Sequence, residues 1–344
     1  MDALLKKLLE APGISGYEKE TAAIMKEELG RICEECYQDG MGNVIARKGK
    51  GKKKLLLAAH MDEIGLLVKH ITKDGYLNFI KIGGIDDRVL VSQRVVVKGA
   101  GGDVKGIIGL KPPHLQKEEE RKKPVNCEDM FIDIGCSSRE EAEKKVGVAD
   151  QVIFEPNSGS LGGGLFYGKA VDDRVGCYVL LKAMERINAQ AEVYAAATVQ
   201  EEVGLKGART ASFRINPDFA LALDTTASGD TPNIQEKETS LKLGAGPAIT
   251  MIEAGGRGLI VGENVRELCI NAAKNNGIKY QLDVVEGGMT DGAMIYMNRE
   301  GIPTGVLSVP ARYIHSSTGV FSMDDVEAAV QLCVKIIEAA ASQA

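Results

Sequence analysis

The sequence predicts an α/β protein whose main domain is interrupted by a small all-β module. Apolar strand-like runs alternate with amphipathic helical segments near the N-terminus and again after Gly168. Between about Leu66 and Gly164 the texture changes to short β-like runs separated by Gly-rich turns. A chain of 344 residues is long enough for one large domain with a smaller one inserted. The expected division is therefore 1–65 with 165–344 as the main domain and 66–164 as the insertion.

Leu4, Leu5, Leu8 and Leu9 share one helical face, and Pro12-Gly13 ends that pattern. Ser15-Gly16-Tyr17-Glu18 has the form of a capping box opening a second helix to about Leu29. Gly42–Ala46 and Lys54–Ala59 read as strands, the latter a continuous apolar run suited to a buried sheet. Inside the insertion, Arg94–Lys98 and Gly106–Leu110 are β-like, while the charged stretch Gln116–Lys123 reads as an exposed loop. Val175, Val179, Leu180, Met184 and Ile187 mark a helix face; Val193–Val199 and Phe219–Leu223 are apolar strands. Glu263–Asn275 is a helix with Gly277 just beyond its end, Thr304–Val309 a strand, and Ser322-Met323-Asp324-Asp325 the cap of a last helix.

Composition narrows the function classes. Lys+Arg 42 against Asp+Glu 48 gives a net charge of -6, without the basic stripe that a nucleic acid requires. No apolar run approaches a membrane span, and the N-terminus lacks the layout of a signal peptide, so a cytoplasmic location is expected. Seven cysteines form an odd set without disulfide-like spacing; Cys33-Glu34-Glu35-Cys36 has no second pair that would complete a zinc site.

The acidic residues and histidines that carry chemistry fall at strand ends. His60 and Asp62 follow the 54–59 run, Glu201 and Glu202 the 193–199 run, Asp224 the 219–223 run, and His315 lies shortly after 304–309. Open α/β sheets place their sites at the carboxyl ends of strands. Histidine and carboxylate suit zinc, cobalt or manganese, and two ions about 3.5–4 Å apart need a bridging carboxylate. Asp62 lies on the same side of an extended chain as His60, placed to orient its far nitrogen. Alone, each has a plainer reading: His60 as a hydrogen-bonded core histidine, Glu201-Glu202 as an exposed acidic pair, Asp224 as a turn residue. His70 and His114 read as strand-edge and loop residues.

Five segments then resemble one family: Ala59–Gly65, Lys169–Gly176, Gln200–Gly204, Leu223–Thr225 and Arg312–Ser316, in that order. Together they are similar to the M42 metallo-aminopeptidases, and the similarity runs over essentially the whole chain. The resemblance implies a mixed-sheet α/β metallopeptidase domain with a small inserted β-domain used in subunit contacts. It implies two divalent ions, zinc or cobalt with manganese as a further candidate. His60, Asp172 and Asp224 would hold one ion; Asp172, Glu202 and His315 would hold the other, with Asp172 bridging. Glu201 would take a proton from the activated water and pass it to the leaving amine, with Asp62 supporting His60. Peptide substrates and self-association into a dodecamer follow from the same resemblance. The related echo Gly83–Val89 reads as a turn with an ion pair, and Asp291 carries over from a motif that matches only in part.

Two other enzyme readings compete, together with a non-catalytic metal-binding assembly protein. A glycoside hydrolase, as some relatives are labelled, needs carboxyls flanking a sugar about 5–9.5 Å apart. Adjacent Glu201 and Glu202 and the absence of Trp fit that poorly. A metallo-deacylase or carboxypeptidase would share the ligand set.

Overall fold

The computed structural model describes residues 1–342. Its main sheet is mixed and has 11 strands. Four parallel strands form its centre, in the spatial order Glu192–Thr198, Lys54–His60, Phe219–Ala227 and Thr304–Arg312. Lys54–His60 is an unbroken apolar run because both of its faces are covered. Leu55, Leu57 and Ala59 pack with the helices Ala3–Glu10, Lys19–Ile32, Val171–Arg186, Glu263–Asn275 and Met323–Ser342. Leu56 and Ala58 pack on the opposite face with Ala208, Ala211 and Ile215 of the helix Lys206–Ile215.

The chain leaves the sheet after His60 and builds a closed barrel of six strands, running from Gly65–Ile71 to Gln151–Phe154. Its interior is a separate apolar cluster that includes Leu66, Val68, Val95, Val97, Ile132 and Val152. The alternation in Val95-Val96-Val97 decides direction: Val95 and Val97 point into the barrel, while Val96 joins Ile14 and Ile153 in a small cluster outside it. Ile14 packs so closely that a Cβ at Gly65 would lie 2.3 Å from its Cγ2. No helix among the described residues is long and apolar enough to cross a membrane.

Several local expectations are corrected. The capping box does not form: the second helix begins at Lys19, Glu18 makes no side-chain cap, and the Ser15 hydroxyl donates to Asp62 Oδ2 instead. At the last helix Ser322 ends a strand, and the Asp325 carboxylate accepts from the N–H groups of Gly244 and Gly246, pinning that turn. The strand Phe219–Ala227 runs beyond Leu223 because its pairing with Thr304–Arg312 continues to Ala227 opposite Ala311, so Asp224 lies within the strand. Gln116–Lys123 is not all loop: Glu118–Arg121 forms one helical turn, with Lys122 donating to Glu118.

Below the sheet ends a buried ion pair ties three parts of the chain together. Lys169 Nζ donates to both oxygens of Glu63, at 2.7 and 2.8 Å, and to the Ala11 carbonyl. Both side chains are 1% exposed. Arg174, fully buried, spends its guanidinium on the carbonyls of Leu8, Ala11 and Met61. The Lys169→Met variant leaves the buried Glu63 carboxylate with only the Arg174 guanidinium, 3.7 Å away, and unfolding free energy should fall by as much as about 3–5 kcal/mol. In Lys169→Met/Glu63→Gln the stranded charge is gone, and part of that loss should return. Equilibrium urea unfolding measures both; a single variant as stable as the wild type would remove this pair as an anchor.

Candidate metal centre

Neighbouring strand ends bring the candidate ligands together. Thr198 pairs with His60 across the sheet, so the chain leaving Thr198 delivers Glu201 and Glu202 beside the histidine. Asp224 arrives from the strand on the other side of Lys54–His60. Asp172 and Asp173 come from the start of the helix Val171–Arg186, where their backbone angles depart from helical values. His315 follows the strand Thr304–Arg312.

The two histidines are oriented in the same way by unrelated segments. His60 Nδ1 is 3.1 Å from the carbonyl of Asp62, and His315 Nδ1 is 2.7 Å from the carbonyl of Gly84. A carbonyl only accepts, so each Nδ1 carries a proton and each Nε2 faces the carboxylates. His60 Nε2 lies 3.1 Å from Asp172 Oδ1, and His315 Nε2 lies 3.4 Å from Asp172 Oδ2. One carboxylate thus offers a separate oxygen to each histidine. Glu202 Oε1 is 3.8 Å from His315 Nε2; Glu201 Oε2 and Asp224 Oδ1 are each 3.9 Å from His60 Nε2.

Two groups of these side chains have the spacing to hold a metal ion: His60 with Asp172 and Glu202, and His60 with Asp173 and Asp224. Asp173 was not among the residues singled out from sequence. Its Oδ1 accepts from the Gly176 N–H, while Oδ2 is buried without a hydrogen-bond partner. Glu202 Oε1 is buried and unpartnered as well. Orphaned carboxylate oxygens are costly in a protein interior. A divalent cation satisfies them, so the donor set fits one.

Charge tells the same story. Burial opposes a charge on His60, but the carboxylates around it, Glu201 foremost, raise its pKa well above the usual value. For His315 the hydrogen bond to Asp172 is the leading cause of a pKa raised to about 10. Burial would raise Asp172, yet hydrogen bonds from His315 and His60 hold it well below the carboxylate range. Burial pushes Glu201, Asp173 and Asp224 well above their ordinary values, and burial with the neighbouring Asp172 takes Glu202 to about 7. The cluster is short of positive charge. Cations bound there would displace the imidazole protons and keep the carboxylates ionised.

Asp62 holds the acidic pair in place. Its Oδ1 accepts from the Glu201 N–H at 3.0 Å, and its Oδ2 accepts from the Glu202 N–H at 3.1 Å and the Ser15 hydroxyl at 2.6 Å. Oδ1 also lies 3.5 Å from His60 Nδ1. Gln200, just before the pair, has φ 56, and Ala170, Tyr313 and His315 are likewise left-handed without being glycine. Such backbone costs about 1–3 kcal/mol per residue and gathers at sites where surrounding contacts enforce it.

Gly83 and Gly84 are the contribution that sequence reading missed. They precede the Asp86-Asp87-Arg88 echo, which does form a short 3-10 turn with an Asp86–Arg88 ion pair. A Cβ at Gly84 would lie 3.1 Å from His315 Nδ1, and one at Gly83 would lie 3.1 Å from Glu202 Oε2. The glycine pair lets a barrel hairpin reach the site. Asp291 stands at the start of the helix Asp291–Tyr296, where Oδ2 accepts from Thr198 and Oδ1 is unpartnered. His70 and His114 are exposed and away from the cluster.

Comparison with known proteins identifies the family. A family model described as M42 glutamyl aminopeptidase matches residues 42–332. The chain is 35% identical over 342 residues to the lysyl aminopeptidase of Pyrococcus furiosus, covering 97% of this chain and 96% of that one. Among solved structures it resembles a TET aminopeptidase from the marine sediment archaeon Thaumarchaeota archaeon SCGC AB-539-E09. That match has a TM-score of 0.94 and 42% identity, over 97% of this chain and 95% of that one. It also resembles the Pyrococcus horikoshii TET1 peptidase, which can assemble into a tetrahedron or a large octahedral shell. There the TM-score is 0.87 and the identity 36%, over 99% of both chains.

The Asp62 geometry yields a direct test. In Asp62→Asn the amide must turn its NH2 toward a backbone N–H, displacing Glu201 or Glu202. Metal affinity should fall by about 10–100-fold, as when an outer partner of a metal ligand is lost. Titration against a competing chelator measures it, with Ser15→Ala, which spares both backbone donors, expected to lose less. Unchanged affinity in Asp62→Asn would refute the anchoring role.

Proposed function

This chain belongs to the M42 glutamyl aminopeptidase family and is a peptide hydrolase, and we propose that it removes N-terminal residues from peptides with two divalent ions held around Asp172. The observation that carries the reading is the division of Asp172: one oxygen faces His60, the other His315. His60, Asp172 and Asp224 would hold one ion and Asp172, Glu202 and His315 the second; the spacing of the side chains also groups Asp173 with His60 and Asp224, and leaves His315 outside both groups that could hold an ion. Nitrogen and oxygen donors of this kind suit zinc, cobalt or manganese. When bound, the ions supply Lewis acidity toward the scissile carbonyl and the attacking water.

The chain's own residues supply the rest. Glu201 is 8% exposed and lines the same cavity as His60, Asp172 and Asp224. Its carboxylate takes the proton of the attacking water and returns it to the departing amine as the peptide C–N bond breaks. Asp62 fixes the backbone of Glu201 through its N–H, so the base stays beside the reacting atoms. The cavity lining includes no Phe, Tyr or Trp among the described residues. That favours a peptide over a sugar, which would want an aromatic platform.

Glu201→Gln and Glu202→Gln separate the two neighbours. Glutamine cannot accept the proton, so Glu201→Gln should lose about 10²–10⁴-fold in turnover of an aminoacyl substrate while keeping its metal. Glu202→Gln should lose metal from one site as well. Elemental analysis and turnover on both variants decide: metal lost from Glu201→Gln and kept in Glu202→Gln would reverse the assignments.

We further propose that segment 66–164 mediates self-association into a dodecamer. The barrel side of the chain exposes Ile80, Ile107 and Val148 at 41%, 54% and 64%. Light scattering should give a mass near twelve chains, with Ile107→Lys and Val148→Lys shifting it to smaller species. A stable, fully active monomer would overturn the proposal.

A further inference from the structure

Resting on the aminopeptidase reading, we propose that the cavity beside His60 and Asp224 seats the substrate's N-terminal side chain, and that Glu253 makes it reject acidic residues. The cavity has a volume of about 160 Å³ and opens directly onto Glu201. A peptide whose first carbonyl lies at Asp172 must therefore place its first side chain here or in solvent. Away from the ligands the walls are of two kinds. Val285, Met289 and Ile314 are apolar; Thr225, Thr250 and Ser308 carry hydroxyls. The Thr225 hydroxyl is buried and has no hydrogen-bond partner within the protein.

Glu253 is the one carboxylate of the lining outside the cluster around Asp172, and it is 1% exposed. Its Oε1 accepts from the Thr290 N–H at 3.2 Å and the Thr290 hydroxyl at 2.6 Å, and its Oε2 accepts from the Leu259 N–H at 3.3 Å. Gly258 closes the space behind it: a Cβ there would lie 2.9 Å from Glu253 Cβ. The acid is thus fixed in the wall and cannot swing away from an arriving side chain. No lysine or arginine lines the cavity among the described residues. Seated against the wall away from His60 and His315, a glutamyl or aspartyl side chain would be stripped of water beside Glu253 with no lysine or arginine to receive it, which is unfavourable. Uncharged side chains meet the hydroxyls and apolar groups at no such cost, and a basic one gains from Glu253.

Metal-loaded wild-type enzyme should be assayed with leucyl, lysyl and glutamyl p-nitroanilides. The glutamyl substrate should have kcat/KM on the order of 100-fold below the leucyl one, the scale of a like-charge juxtaposition. Glu253→Gln, nearly isosteric, should narrow the leucyl-to-glutamyl ratio by about 10-fold and lower the lysyl-to-leucyl ratio. Equal use of leucyl and glutamyl substrates by the wild type would overturn the pocket assignment and leave the aminopeptidase reading standing. Exclusion of the glutamyl substrate that survives unchanged in Glu253→Gln would overturn the part given to Glu253. Turnover of none of the three, with N-acylated peptides cleaved instead, would overturn the parent reading and this one with it.

Discussion

Mutual repulsion among buried carboxylates is the constraint around which this protein is organised. Asp172, Asp173, Glu201, Glu202 and Asp224 meet two imidazoles, the buried His60 and the partly exposed His315. Burying such charges is expensive unless each is hydrogen-bonded or paired. The scaffold responds in layers. Asp62 accepts three hydrogen bonds that fix Glu201, Glu202 and Ser15. Behind it Glu63 is neutralised by Lys169, and Arg174 gathers the carbonyls that end the first helix. What the scaffold leaves unmet, the orphaned oxygens of Asp173 and Glu202, is the part that a bound cation completes.

The parallel sheet explains why these groups can converge at all. His60 ends a strand flanked by Glu192–Thr198 on one side and Phe219–Ala227 on the other, so candidate ligands from three strands arrive at one edge. The insertion leaves the sheet within a few residues of His60, which lets the barrel return to the same place through Gly83-Gly84. The His315 ring is therefore held by main chain from the inserted segment while its own loop comes from the main sheet. The cluster draws on both the main sheet and the barrel, and a shift of the barrel would move His315 without the other candidate ligands.

Much of this was legible in the sequence because it depends on short-range pattern. Continuous apolar runs marked the central strands, and acidic residues or histidines at their ends marked the edge where a site belongs. Long-range choices were not legible. Ser15 and Glu18 have the right spacing for a capping box, but the Ser15 hydroxyl has a better partner in Asp62, 47 residues away. Asp325 looks like a helix cap and serves the turn at Gly244–Gly246. Asp173 was eclipsed by its neighbour because local pattern cannot say which of two adjacent carboxylates points into a cluster. Gly83-Gly84 gave a signal, two glycines before an acidic turn, whose meaning depended on contact with a residue more than 200 positions on.

Adjacency also separates Glu201 from Glu202. Successive residues in extended chain point to opposite sides, but Gln200 is left-handed and the chain turns immediately, with Glu201 O accepting from the N–H groups of Gly204 and Leu205. The turn puts Glu201 toward His60 and Asp224 and Glu202 toward His315. Burial raises both, yet their nearest charges differ: His60 lowers Glu201 while Asp224 and Asp291 raise it, and Asp172 acts most on Glu202. A carboxylate beside Asp172, which faces both histidines, shares that aspartate's need for a cation and is suited to the proposed ligand role. One step removed, on the cavity wall, Glu201 has room to accept and return a proton. The separate placement of the two glutamates thus comes from one left-handed residue at the end of a strand, Gln200, whose N–H donates to Glu18 Oε1 while Asp62 accepts from the two residues that follow.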